Sequence, residues 1–85
     1  MTQQEIYEEF KTLAEQLGHS VRLEIGDFDG GLCVVNDKKV ILVNRRHDMG
    51  KRLSVIARAL HRVGFGEVFV KPAIRELIEE EVGTM

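Results

Sequence analysis

The chain reads as a single α+β domain spanning residues 1–85, and three observations carry that reading. Eighty-five residues are too few for two independently folding units. Apolar residues recur at helical spacing in three segments, one at each end and one after the middle. Between the first and second of these lie three short runs with strand character. The predicted order is α-β-β-β-α-α, with the strands in a three-stranded antiparallel meander and the helices covering one of its faces.

The first helix opens on Thr2 and Glu5, the spacing of a capping box, in which hydroxyl and carboxylate each satisfy an orphan backbone amide. Ile6, Phe10, Leu13, Ala14 and Leu17 then form one apolar stripe, and Gly18 supplies a left-handed stop followed by His19. "SVRLEIG" alternates Val21, Leu23 and Ile25 with Arg22 and Glu24, which predicts a strand with one buried face. "GDFDGG" is read as a turn built on Asp29 and Gly30, and Asp37-Lys38 as a tight hairpin loop. "LCVVN" and "VILVN" are almost wholly apolar, so both are expected to be covered on their two faces.

Asp48 is placed to cap a second helix, whose arc of Leu53, Ile56, Ala57, Leu60 and Gly64 faces the sheet. "FGEVFV" crosses back as a short extended segment. Pro72 suits the first turn of a third helix, with Ile74, Leu77, Ile78 and Val82 as its apolar stripe.

Composition narrows the classes of function. The hydrophobic fraction of 44% and the single proline fit a globular chain. No apolar run approaches a membrane span, and the acidic start "MTQQEIYEEF" lacks the core of a signal peptide. Cys33, the lone cysteine, excludes an intramolecular disulfide and fits a reducing compartment, so the expected location is the cytoplasm.

The net charge of −2 hides a segregation. Residues 1–37 hold Lys11 and Arg22 against eight acidic side chains. Residues 38–75 hold ten Lys or Arg against Asp48 and Glu67, and four Glu follow from Glu76 onward. A basic middle therefore lies between acidic ends, which bears on the choice of partner.

No motif announces catalysis. His19, Cys33, His47 and His61 lack the pair spacings of a zinc site, and no cofactor or metal is expected. Cys33 between Leu32 and Val34 reads as a small core residue rather than a thiolate. Ser54 and His61 are two helical turns apart, about 11 Å of rise, too far for direct proton relay. Asp27 and Asp29 are accounted for by turn chemistry.

The basic cluster is the strongest anomaly. Lys51, Arg58 and Arg62 fall within about 40° of one another on the side of the second helix away from its apolar arc, with Arg45 and Arg46 nearby in sequence. Such an array can bind phosphates by counterion release, or be a solvated or internally paired face. A domain with one Tyr, no Trp and no nucleic-acid motif leans to the second reading.

The run "VILVNRRHDMGKRLSVIARALHR" resembles the strand–loop–helix of small gluzincin-type zinc peptidases, the minigluzincin and ImmA-like group. In that group a helix, a three-stranded sheet and a strand ending in Asn precede the helix that bears H-E-x-x-H. Setting the group's A-H-E-L-G-H on "ARALHR" matches Ala57 and Leu60. It puts Arg58 and Arg62 where the metal histidines stand and Ala59 where the general-base glutamate stands. Arginine stays protonated and cannot bind zinc, and alanine cannot activate water. The resemblance therefore implies a degenerate, metal-free relative without peptidase activity. Arg58 and Arg62 would then pair with Glu76, Glu79 or Glu80 on the last helix.

The functional expectation is a small, bacterial-type, non-catalytic binding or protein-interaction module. Its meander has edge strands that need cover, and a symmetric homodimer is the commonest way to supply it. Two other readings stand beside it: an anion or nucleic-acid binder using the basic helix 48–63, and a metal-dependent enzyme built on His61, His47 or Cys33.

Overall fold

A computed structural model describes residues 1–83. The elements are α1 (Gln3–Gln16), β1 (Ser20–Glu24), β2 (Gly31–Val35), β3 (Lys38–Asn44), α2 (Met49–Val63) and α3 (Pro72–Gly83). Their order is the predicted one; α1 and α2 cover one face of a three-stranded sheet, and α3 packs against those two helices.

The local signals in α1 act as read. The Thr2 hydroxyl accepts from the Glu5 amide at 3.1 Å, and the Glu5 carboxylate accepts from the Thr2 amide at 3.0 Å. At the other end Gly18 sits at φ +82°, while the His19 amide donates to Ala14 and the Gly18 amide to Glu15. Those two bonds are the paired closure of a Schellman stop. Asp48 caps α2 by accepting from the Lys51 amide at 2.9 Å, and the Gly64 amide closes the helix on Leu60.

The sheet departs from the meander. Its strand order is β1-β3-β2, with β1 parallel to β3 and β2 antiparallel to β3. The physical reason is burial. β3 is the longest and most apolar strand, and the central position surrounds it with neighbours: Val40, Ile41, Val43 and Asn44 are all buried. A meander would have centred Gly31 and Cys33 of β2 instead and left β3 at an edge. Residues 25–30, expected as a turn, are the link that makes the alternative order work. They step over the C-terminal end of β3 from one edge to the other, about 10 Å at two strand spacings.

Asn44 fastens that link. Its side-chain amide donates to the carbonyls of Gly26 and Phe28, both at 2.8 Å, and its Oδ1 accepts from the Arg46 amide at 3.0 Å. All three bonds are made by a side chain that is 3% exposed, so its polarity is satisfied within the fold.

Three smaller expectations are also corrected. The hairpin loop between β2 and β3 is Asn36-Asp37, with φ of 51° and 65°, while Lys38 already pairs with Val35. Asn and Asp tolerate the left-handed region that a two-residue primed turn requires. β2 is an edge strand, not a covered one, and Leu32 and Val34 are exposed. β1 ends at Glu24, leaving Ile25 62% exposed. The segment that crosses back between α2 and α3, residues 64–71, is an irregular link with a turn at Gly66 and Glu67.

The core lies between the sheet and the helices. Ile41 and Val43 of β3 form one cluster with Phe10, Leu13 and Ala14 of α1, Ile56, Ala57, Ala59 and Leu60 of α2, and Ile74 and Ile78 of α3. Full burial of each large aliphatic side chain contributes about 1.5–3 kcal/mol. Cys33 does not join this cluster. It stands opposite Val40 on the other face of the sheet and is half-buried.

Candidate functional site

A concave surface that gathers the predicted basic residues lies between β2 and the outer flank of α2. It is a groove of about 250 Å³ lined by Asp29, Gly30, Gly31, Leu32, Lys51, Val55, Arg58, Ala59 and Arg62. Three of the residues marked by the basic helix pattern, Lys51, Arg58 and Arg62, therefore converge on one rim. At 100° per residue they form a single row along α2, with Val55 and Ala59 next to them toward the sheet.

Gly30 sets how closely the two walls approach. A Cβ at this position would stand 2.5 Å from the Leu42 carbonyl oxygen and 3.1 Å from a Val55 methyl, and the residue has φ of +102°. Only glycine fits both the space and the conformation. The chain can thus enter β2 directly beneath α2, and β2 runs out along the groove with no strand on its far side among the described residues.

The pattern of main-chain bonds determines what that free side offers. The two-residue loop makes Val35 and Lys38 a hydrogen-bonded pair, and such pairs alternate along an antiparallel ladder. Val35, Cys33 and Gly31 therefore bond inward to β3. Leu32 and Val34 turn their amides and carbonyls outward, and their side chains, 39% and 69% exposed, stand on the same side of the sheet as the helices.

The cationic rim is unequal. The Arg58 guanidinium lies 3.6 Å from the Glu81 carboxylate, and the Ser54 hydroxyl hydrogen-bonds that same carboxylate. The expected partner on α3 was Glu76, Glu79 or Glu80; the residue one position further along is the one that faces α2. Arg62 is exposed, and Lys51 is exposed on the first turn of α2.

Arg45 and Arg46 lie apart from this rim, in the β3–α2 link. Arg46 is 3.5 Å from Asp27, and the Arg45 carbonyl accepts from Arg52 at 2.7 Å. Arg52 also donates to the His47 carbonyl at 2.8 Å, so this half-buried arginine braces the link rather than joining the groove. Nothing in the sequence pattern separated it from its neighbours. Asp29 and Leu32 were likewise missed as groove residues, because the position of β2 beside α2 is a long-range result.

The histidines and Cys33 do not converge. Among the described residues no group of three or more His, Cys, Asp or Glu side chains is placed to hold a metal ion. His47 follows the end of β3, with its Nδ1 buried and without a hydrogen-bond partner among the described residues. His61 is exposed on α2, and Ser54 is directed to Glu81. No helix among the described residues is long and apolar enough to cross a membrane. Comparison with family models, curated proteins and solved structures gives no match for this chain.

Proposed function

We propose that the protein is a small, non-catalytic interaction module whose working surface is the groove between β2 and α2. Its partner is an extended, acidic protein segment. The observation that carries this reading is the pairing of two complementary features on one groove. One wall offers the outward amide and carbonyl of Leu32, with those of Val34 beyond the groove on the same strand edge; the other offers Lys51 and Arg62, with Arg58 beside them. A segment in strand conformation can take its main-chain bonds from the first wall and place carboxylates against the second.

Protein is favoured over nucleic acid because the rim is small and partly neutralised. Arg58 shares its charge with Glu81, Asp29 lines the groove, and Arg46 is near Asp27 rather than aimed at the groove. A nucleic-acid surface draws its affinity from many unpaired cations along a backbone track. The resemblance to the zinc peptidase core fits the same proposal as a metal-free relative, with the Arg58–Glu81 pair on the helix where that group holds its ion. Cys33 as a free thiol suits a reducing cytoplasmic setting.

The test is a residue-resolved NMR titration with a peptide of alternating Glu and Val and, separately, with mixed-sequence duplex DNA. The expected result is peptide-induced shifts at residues 30–34 and 51–62, weakened by salt and abolished by Lys51→Glu with Arg62→Glu. Absence of those shifts at about 1 mM peptide, or saturation by DNA at the same residues while the peptide leaves them unmoved, overturns the reading.

A further inference from the structure

The other edge of the sheet has a different chemistry. The Arg45 amide donates to the Glu24 carbonyl at 2.8 Å, which fixes the phase of the parallel ladder between β1 and β3. Ser20, Arg22 and Glu24 bond inward to β3. Val21 and Leu23 turn their amides and carbonyls outward, and Ile25 continues that phase past the strand end. Among the described residues no other strand pairs with this side of β1.

From this edge we infer that two copies of the chain associate through β1, antiparallel about a two-fold axis at Leu23, into a continuous six-stranded sheet. The phase of the free groups selects this register. With Leu23 opposite Leu23 of the second copy, the outward groups of both strands fall on hydrogen-bonded pairs, and Val21 comes opposite Ile25 on each side. The 62% exposed Ile25 then gains an apolar neighbour.

The same register places Arg22 opposite Glu24 of the second copy, and Glu24 opposite its Arg22. These are the pairs between hydrogen-bonded ones, where facing side chains come closest. Within one chain Arg22 and Glu24 already lie 3.8 Å apart on the face away from the helices, with side chains about half exposed at 51% and 52%. Two such pairs set head to tail make a square of four charges alternating in sign. A slip of two residues, the next register in which the outward groups still meet, would put Arg22 opposite Arg22 or Glu24 opposite Glu24, so the charges hold the register as well as the partner.

A second copy is a poorer occupant of the β2 edge. There a two-fold would bring Lys51, Arg58 and Arg62 of one groove toward those of its mate, like charge to like. The helix packed on β1 is α1, which mixes the half-buried Lys11 with the exposed Glu8 and Glu15, and a two-fold normal to the sheet puts both α1 helices on the same side of the seam. This association uses neither the groove nor its cations, and it stands or falls apart from the function proposed above.

Sedimentation equilibrium across a concentration series is the test, on the wild-type chain and three variants. A reversible dimer is expected for the wild type. Arg22→Glu and Glu24→Arg each set like charges opposite one another across the seam, and each is expected to weaken the dimer at least tenfold. The double exchange restores opposite signs and is expected to recover it. Circular dichroism confirms that each variant is folded. A wild type that stays monomeric to about 1 mM, or a dimer indifferent to both single exchanges, overturns the inference. So does a double exchange no better than either single one.

Discussion

The Asn44 side-chain amide and the Phe28 carbonyl, 2.8 Å apart, tie the end of the central strand to the loop that passes over it. This contact, with its companion to Gly26, pins the link between β1 and β2 across the end of β3. Asn44→Ala removes the donor from two carbonyls and the acceptor from the Arg46 amide at a position buried from water. The expected loss is about 2–4 kcal/mol, read as a lower midpoint in urea unfolding with circular dichroism. Asn44→Leu, which keeps the branched shape but not the bonds, is expected to lose a similar amount.

Gly30→Ala tests the close approach of β2 to α2. The added methyl meets the Leu42 carbonyl oxygen at 2.5 Å from a backbone at φ +102°. The expected destabilisation is about 3 kcal/mol, and groove binding is expected to weaken further because the walls must part. Thermal unfolding and the peptide titration together separate the two effects.

Much of this architecture was legible in the residues, and the exceptions have a common cause. The caps at Thr2 and Asp48, the stop at Gly18, the start at Pro72 and the apolar stripes are local signals, and each sits where its own neighbours place it. Which strand lies beside which is not local. The segment around Asp29-Gly30 satisfies the chemistry of a hairpin turn, yet the competition for the central position is decided by the apolar content of β3 against β2. The uniform apolarity of "VILVN" marked a central strand, whereas Leu32 and Val34 gave the same signal from an edge. The candidate site divided in the same way. Lys51, Arg58 and Arg62 were grouped by helical angle alone, while Arg45 and Arg46, near in sequence, lie outside the groove because the link turns them away.

The capping box makes α1 sensitive to acid. The Thr2 amide, and after it the Thr2 hydroxyl, hold the Glu5 carboxyl below its ordinary range. A carboxylate with a depressed folded value contributes stability above its unfolded value and loses it as the pH falls through the folded one. Stability at pH 7 is therefore expected to exceed stability at pH 3 in part through Glu5. Glu5→Gln is expected to reduce that difference, as measured by urea midpoints at the two pH values. An unchanged difference would remove the carboxylate from the account of α1.

The Arg58–Glu81 pair is expected to matter little for stability. Its side chains are 47% and 32% exposed, so solvent screens their attraction. A double-mutant cycle with Arg58→Ala and Glu81→Ala is expected to give a coupling below about 1 kcal/mol, shrinking further in high salt. Its consequence is for binding: Arg62→Ala is expected to weaken the acidic peptide more than Arg58→Ala, because Arg58 already shares its charge.

A central β3 flanked by two edges of different character underlies both proposed associations. Residue-resolved amide hydrogen exchange tests it most directly. At low concentration, protection is expected along both sides of β3 and at Arg22, Glu24, Cys33 and Val35, with fast exchange at Val21, Leu23, Leu32 and Val34. Raising the protein concentration is expected to slow Val21 and Leu23, and adding the acidic peptide to slow Leu32 and Val34. Protection at every β2 amide in the dilute free protein, with alternating exchange along β3, would place β2 in the centre and contradict the account.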